Sequence, residues 1–102
     1  MSRMSFRERL DKERRLVILQ LLAAMDGRQA SSRALKIGVD AVIYQVGRDI
    51  IEADLELLQQ HSLVTIEPIK LPDNTDLIMA KLTEFGKEVS EGRSHPAVAR
   101  PI

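Results

Sequence analysis

The chain has 102 residues, of which 44% are hydrophobic and 29% charged, and it contains no cysteine. This length suits one domain with its own core. The composition excludes a disordered chain, a disulfide scaffold and a thiolate metal site. The longest apolar stretch, 16–25, is interrupted at Gln20 and is too short to cross a bilayer, so no membrane partner is expected. The charged N-terminus, MSRMSFRERL, lacks the apolar segment of a signal peptide, which predicts a cytoplasmic location.

Charge is unevenly distributed although acidic and basic residues balance at 15 each. Residues 1–30 carry a basic surplus, whereas residues 47–62 contain one basic residue, Arg48, and four acidic ones. The first stretch would attract polyanions and the second would repel them. Aromatic residues are scarce, which makes a stacking surface for single-stranded nucleic acid improbable.

The N-terminal half is predicted to be helical. Ser5, with Glu8 three residues later, predicts a capped helix over 6–25 that ends at Asp26-Gly27. A polar connector follows at 28–32, and a second helix is predicted from about 33 to 42. The third helix, over 48–61, has the clearest apolar period in the chain.

The period then changes from helical to alternating. Residues 63–69 and 76–82 are rich in β-forming residues and are separated by the turn signal Pro-Asp-Asn-Thr at 72–75, which predicts a hairpin. Thr83 then caps a short helix, 84–91. The order αααββα predicts an α+β, mostly α domain over 1–93 with the arrangement of a winged helix-turn-helix, and a flexible C-terminal tail over 94–102.

Three segments carry a family resemblance: RLVILQLLAA, VGRDIIEADLELLQQHSLVTIE and AKLTEFGKEVSEGR. Together they resemble winged helix-turn-helix proteins of the ArsR type, and most of all the short winged-helix proteins of Mu-like phages and prophages. The tail pattern Gly92-Arg93, Val98 and Arg100-Pro101 resembles that phage group as well. The chain departs from the usual pattern at Gly47, where a serine cap is common, and at Ser62, where glycine is common.

The resemblance implies a DNA-binding transcriptional regulator whose third helix enters the major groove of double-stranded DNA. The residues expected to contact base edges are Gln45, Arg48, Glu52 and Gln59. The residues expected to contact phosphates are Arg28, Arg33, Lys36, Lys70 and Lys81. Because the third helix is acidic, a second hypothesis stays open, in which the domain is a scaffold that binds another phage protein and no DNA.

A homodimer is plausible under both hypotheses, with a seam formed by Leu16, Leu19, Ala23, Phe85 and Val89. No motif for catalysis is present, so no enzyme is expected. No metal or other cofactor is expected either, because cysteine is absent and the two histidines, His61 and His95, lie on different elements.

Overall fold

Four helices and three strands make up the described part, residues 4–101, of the computed structural model. The elements are α1 (Phe6–Ala24), β1 (Gln29–Ser31), α2 (Ser32–Val42), α3 (Arg48–Gln60), β2 (Val64–Lys70), β3 (Asp76–Leu82) and α4 (Glu84–Ser90). The predicted α+β winged helix-turn-helix is confirmed, with one additional strand.

The first helix begins and ends at the predicted signals. The Ser5 hydroxyl accepts the backbone N–H of Glu8 at 3.1 Å, which satisfies one of the free donors of the first turn. The chain then reverses through a short 3-10 turn in which Gly27 adopts a φ of 70°. Glycine adopts this left-handed conformation without a steric penalty, so the reversal can follow directly on the helix.

The polar connector predicted at 28–32 is instead partly a strand, and this is a correction. β1 pairs antiparallel with β3, with Gln29 opposite Lys81 and Ser31 opposite Met79. The sheet therefore has three strands in the order β1-β3-β2. Three residues are too few to show an alternating pattern, and the partner that makes them a strand lies about fifty positions along the chain.

The β2–β3 hairpin is the wing predicted from the alternating segments. Its strands pair in register from Val64 opposite Leu82 to Lys70 opposite Asp76. The tip, 71–75, is closed by a hydrogen bond from the Leu71 N–H to the Thr75 carbonyl at 2.9 Å. Because β2 is an edge strand, Pro68 lies where a missing N–H is tolerated.

One core joins the helices to the inner face of the sheet. It is formed by apolar side chains that are at most 9% exposed, chiefly Leu16, Ile18, Leu19, Leu22, Leu35, Val39, Ile51, Leu55, Leu58, Leu63, Val64, Ala80, Leu82 and Val89. The apolar half of α1 is buried on more than one side, as its sequence predicts. Among the helices of residues 4–101, none is both long and apolar enough to span a membrane.

A buried ion pair joins α1 to α3. The Arg14 guanidinium donates to both Asp54 carboxylate oxygens, at 2.5 and 3.0 Å, and both side chains are at most 6% exposed. The remaining donors of Arg14 bind Asp11 and the Tyr44 hydroxyl, each at 2.9 Å. Arg15 donates to Asp54 as well, at 3.2 Å. The hydrogen bond with Asp54, more than any other interaction, raises the pKa of Arg14 above its ordinary value.

The segment predicted as a flexible tail packs on α1 over 95–99, which corrects that expectation for these residues. Ala97 and Val98 are buried. The Ala99 N–H donates to the Lys12 carbonyl, and Arg15 donates to the Ala97 carbonyl, both at 3.2 Å. Short apolar side chains, one bond between backbone groups and one bond from the Arg15 side chain hold this segment. Because none of these contacts needs a large apolar residue, no sign in the sequence marks the segment as packed.

Candidate nucleic-acid interface

The start of α3 lies against the wing. Gly47 precedes the helix and offers no side-chain cap, in keeping with its departure from the usual serine. Arg48, the first residue of α3, donates to Glu52 one turn later at 2.8 Å and also to the backbone carbonyl of Asp76 at the start of β3. Its side chain is about half exposed. Arg48 therefore connects the predicted recognition helix to the wing and keeps its guanidinium at the surface.

Three cationic side chains line one cavity between α2, α3 and the wing. We call Arg33, Lys36 and Arg48 the cationic cluster. With Ser32 and Leu77 they line a cavity of about 290 Å³. The structure thus brings together two of the predicted phosphate contacts and the leading base contact. Three cations from two helices around one cavity favour an anion with several oxygens, such as a phosphodiester.

Asp40 holds one member of this cluster, Lys36, and the sequence analysis did not single it out. Its carboxylate accepts from the Lys36 ammonium at 2.6 Å and from the Val46 N–H at 3.0 Å. These two bonds, the first more than the second, lower the pKa of Asp40 below its ordinary value. Asp40 therefore fixes the connection between α2 and α3. Lys36 and Asp40 lie one helical turn apart, and this spacing is the feature of the sequence from which their ion pair could have been predicted.

Ser32 also ties α2 to the wing, since its hydroxyl accepts the Ile78 N–H at 3.2 Å. At the wing tip, hydrogen bonds from Thr75, and to a smaller extent the positive charge of Arg33, lower the pKa of Asp73. Arg33 is exposed and, within residues 4–101, has no carboxylate within ion-pair distance. Arg33 is thus the member of the cluster whose charge is least neutralised.

The other predicted base contacts, and the predicted phosphate contact Lys70, do not line the cavity of the cationic cluster. Gln45 is exposed in the connection before α3, and Gln59 is exposed in the last turn of that helix. Glu52 is the carboxylate that binds Arg48. Lys70, on the wing, lies 3.7 Å from the Asp76 carboxylate. Their contacts with bases or phosphates stay predictions.

Arg28 and Lys81, two predicted phosphate contacts, lie at the opposite end of the sheet. Arg28 pairs with Glu84 of α4 at 2.8 Å. Lys81 is opposite Gln29 and Thr65, five residues along β3 from Asp76, or about 17 Å at the rise of a strand. The structure therefore does not bring these two cations into the cationic cluster.

Fewer acidic side chains of α3 are exposed and unpaired than its sequence contains. Asp54 faces the core side and is neutralised by Arg14 and Arg15. Glu52 is paired with Arg48. Asp49 and Glu56 remain exposed. Within residues 4–101, therefore, two carboxylates of α3 rather than four are without an ion-pair partner and oppose the approach of a polyanion.

The structure corrects the predicted dimer seam, because most of the residues assigned to it are buried within one chain. Leu16 is 4% exposed, Leu19 is 0% exposed and Val89 is 1% exposed. Ala23 is exposed, and Phe85 is half-buried against the ring of His95. The all-round apolar half of α1 is explained by the core of its own domain, which leaves almost nothing for a second copy to cover.

His61 and His95 do meet, although they lie on different elements. Their rings pack edge to face with centroids 5.0 Å apart. The Nδ1 atom of His95 accepts the Ala97 N–H at 3.0 Å, so that nitrogen is occupied. Within residues 4–101 no three side chains of His, Cys, Asp or Glu are arranged to hold a metal ion.

Sequence comparison relates the chain to a phage protein. It is 35% identical over 94 residues to gp26 of Escherichia phage Mu, a protein described as uncharacterized, and the match covers 90% of this chain and 91% of gp26. The chain belongs to the family of Mu gp26. A protein of Haemophilus influenzae, also described as uncharacterized, is 33% identical over 67 residues, which is 66% of this chain and 65% of that protein. No established family model matches the sequence.

The fold of this gp26-family chain is similar to that of Bacillus subtilis PadR, solved in complex with operator DNA. The TM-score is 0.62 at 16% sequence identity, over 85% of this chain. The chain spans about half of the PadR chain, 52%. The likeness confirms the winged-helix fold, and the Mu relative confirms the predicted phage relationship. The resemblance to ArsR-type regulators stays a prediction.

Proposed function

We propose that this gp26-family protein is a prophage-type regulator that binds double-stranded DNA, in the cytoplasm of a bacterial host, through the cationic cluster and the exposed face of α3. The observation that carries the proposal is the convergence of Arg33, Lys36 and Arg48 on one cavity beside the wing. The PadR likeness supports it, because that protein was solved with operator DNA. The protein then acts by binding rather than by catalysis.

In the proposed complex the cluster serves two tasks. Arg33 and Lys36, at the start of α2, contact phosphates and set the position of α3 on the duplex. Arg48 exchanges its bond to Glu52 for a bidentate bond to guanine, and Glu52 then accepts from a neighbouring cytosine. Gln45 and Gln59 extend the contacts along the groove. Lys70 adds a phosphate contact from the wing.

The decisive experiment is a titration of random duplex DNA at about 50 and 200 mM salt. Affinity should fall steeply as salt rises, because bound phosphates displace counterions. Arg33→Ala should weaken binding and reduce the salt slope by about one. Lys81→Ala is the matched control: it removes another exposed cation, at the far end of the sheet, and should change neither quantity.

A second pair of variants tests the role of α3. Glu52→Gln removes one of the carboxylates on this helix and releases Arg48, so non-specific affinity should rise. Arg48→Ala should cost about 1–3 kcal/mol on duplexes selected from a random library and relax the preference at one base pair. Absence of binding at about 50 mM salt would instead favour the scaffold hypothesis, in which exposed Asp49 and Glu56 meet a basic protein.

A further inference from the structure

A groove with apolar walls runs between the N-terminal half of α1 and the connection before α3. Its volume is about 340 Å³, and its walls include Leu10, Val46 and Ile50. Phe6, in the first turn of α1, lies at its rim and is 74% exposed, more than any other large hydrophobic residue described. We call this feature the α1 groove. An exposed aromatic ring beside an apolar groove indicates a binding surface.

The floor of the α1 groove is polar but fully engaged. Arg14 and Tyr44 line it: Arg14 donates to the Tyr44 hydroxyl and also to the carboxylates of Asp11 and Asp54. No buried side-chain nitrogen or oxygen within residues 4–101 lacks a hydrogen-bond partner. A group that binds in the groove therefore contacts apolar walls and meets no buried polar atom that needs a hydrogen bond. This environment favours an apolar side chain.

The charges at the groove favour a second copy of the chain as its occupant. Arg7 and Asp11 both line it, one helical turn apart, so the same stripe of α1 carries a cation and an anion. When two α1 helices lie antiparallel, Arg7 of each copy faces Asp11 of the other, whose Oδ1 atom is the one that binds Arg14 of its own chain. A strongly basic or acidic partner gains less, because it would meet one charge of its own sign. The formal net charge of zero leaves no long-range repulsion between copies.

We propose that the α1 groove is the interface of a homodimer in which Phe6 of each copy occupies the groove of the other. The groove and the ring that fills it lie on the same surface, as a two-fold interface requires. This interface replaces the seam predicted from the sequence, whose leucines are buried within one chain. It shares no lining residue with the cationic cluster.

Sedimentation velocity over a micromolar concentration range tests the proposal without DNA, so its outcome is independent of the proposed function. The full chain should show a concentration-dependent dimer. Phe6→Ala should raise the dissociation constant at least about tenfold, because each dimer loses two aromatic anchors. Ile37→Ala is the matched control: it truncates another exposed large hydrophobic, 66% exposed, outside the groove, and should leave dimerisation unchanged. Circular dichroism verifies that both variants are folded.

Cross-linking locates the interface directly, because the natural chain has no cysteine. A Phe6→Cys chain mixed with a mass-tagged Val46→Cys chain should form mixed disulfides readily under mild oxidation. The same Phe6→Cys chain mixed with an Ile37→Cys chain should not. A monomer at all concentrations, a dimer insensitive to Phe6→Ala, or equal cross-linking in the two mixtures would each overturn the proposal.

Discussion

The ion pair between Arg14 and Asp54 gives the sharpest prediction on stability. Asp54→Ala removes two hydrogen bonds from the guanidinium of Arg14, a residue that is 5% exposed. Arg14 keeps Tyr44 and the partly exposed Asp11, but its positive charge loses Asp54, the buried one of these two carboxylate partners. Breaking a buried pair by removing one partner costs about 3–5 kcal/mol. A domain of this length has a free energy of unfolding of about 5–15 kcal/mol, so the loss is a large fraction.

The assay is urea and thermal unfolding followed by circular dichroism. A loss of about 3 kcal/mol should lower Tm by at least about 12 °C in a domain of this size. Glu88→Ala is the control: it removes the partner of Arg93 in a pair whose side chains are 58% and 56% exposed, and should cost about 0.5 kcal/mol or less. Burial, rather than the presence of an ion pair, is the variable that differs between the two variants.

The double variant Arg14→Met with Asp54→Leu separates charge from packing. It removes both buried charges at similar volume, and it should recover most of the stability that Asp54→Ala loses. An Asp54→Ala variant as stable as Glu88→Ala would refute the reasoning. So would a double variant less stable than Asp54→Ala, because the cost would then lie in lost packing.

Three further predictions concern the C-terminal segment, α4 and the turn after α3. Desolvation, with the His61 charge second, lowers the pKa of His95 from 6.5. As the pH falls, His95 therefore takes up a proton more readily in the unfolded chain than in the folded one. The free energy of unfolding that neutral His95 contributes is fully present above pH 6.5 and decreases below it. Amide hydrogen exchange at 97–99 should speed up below pH 6.5, and less so in the His61→Gln variant. Gly86→Ala should cost about 1–3 kcal/mol in urea unfolding, because an added Cβ overlaps the Leu63 carbonyl. Ser62→Gly should raise the free energy of unfolding by up to about 1 kcal/mol, since Ser62 has a φ of 61°, a conformation that glycine adopts without strain. A lower free energy of unfolding would show that the contacts of the serine side chain outweigh this strain.

The positions of the cations bear on how the winged helix would meet DNA. In the chain, Arg48 stands among four acidic residues, which by itself argues against a polyanion. In the fold, Asp54 is turned toward Arg14 and Arg15, and Arg33 and Lys36 of α2 lie beside Arg48. The electrostatic character of α3 is therefore set by its neighbours as much as by its own residues.

Local signals determined most of the architecture. Ser5, Thr83 and the Asp26-Gly27 pair marked helix ends because capping depends on residues within one turn. The change from a helical to an alternating apolar period located the wing, because the spacing of the apolar residues differs between a helix and a strand that face the same core. These features require only neighbours along the chain, and the sequence contains them.

Only the tertiary structure decided the features that depend on distant partners. Gln29–Ser31 is a strand because β3 lies beside it, and 95–99 is packed because α1 offers carbonyl and guanidinium groups at the right distance. Leu16 and Leu19 belong to the core rather than to a dimer, since the sheet and helices of the same chain cover them. Burial and pairing are properties of the assembled chain, so an apolar or charged residue shows what it can contact, and the fold selects which contact it makes.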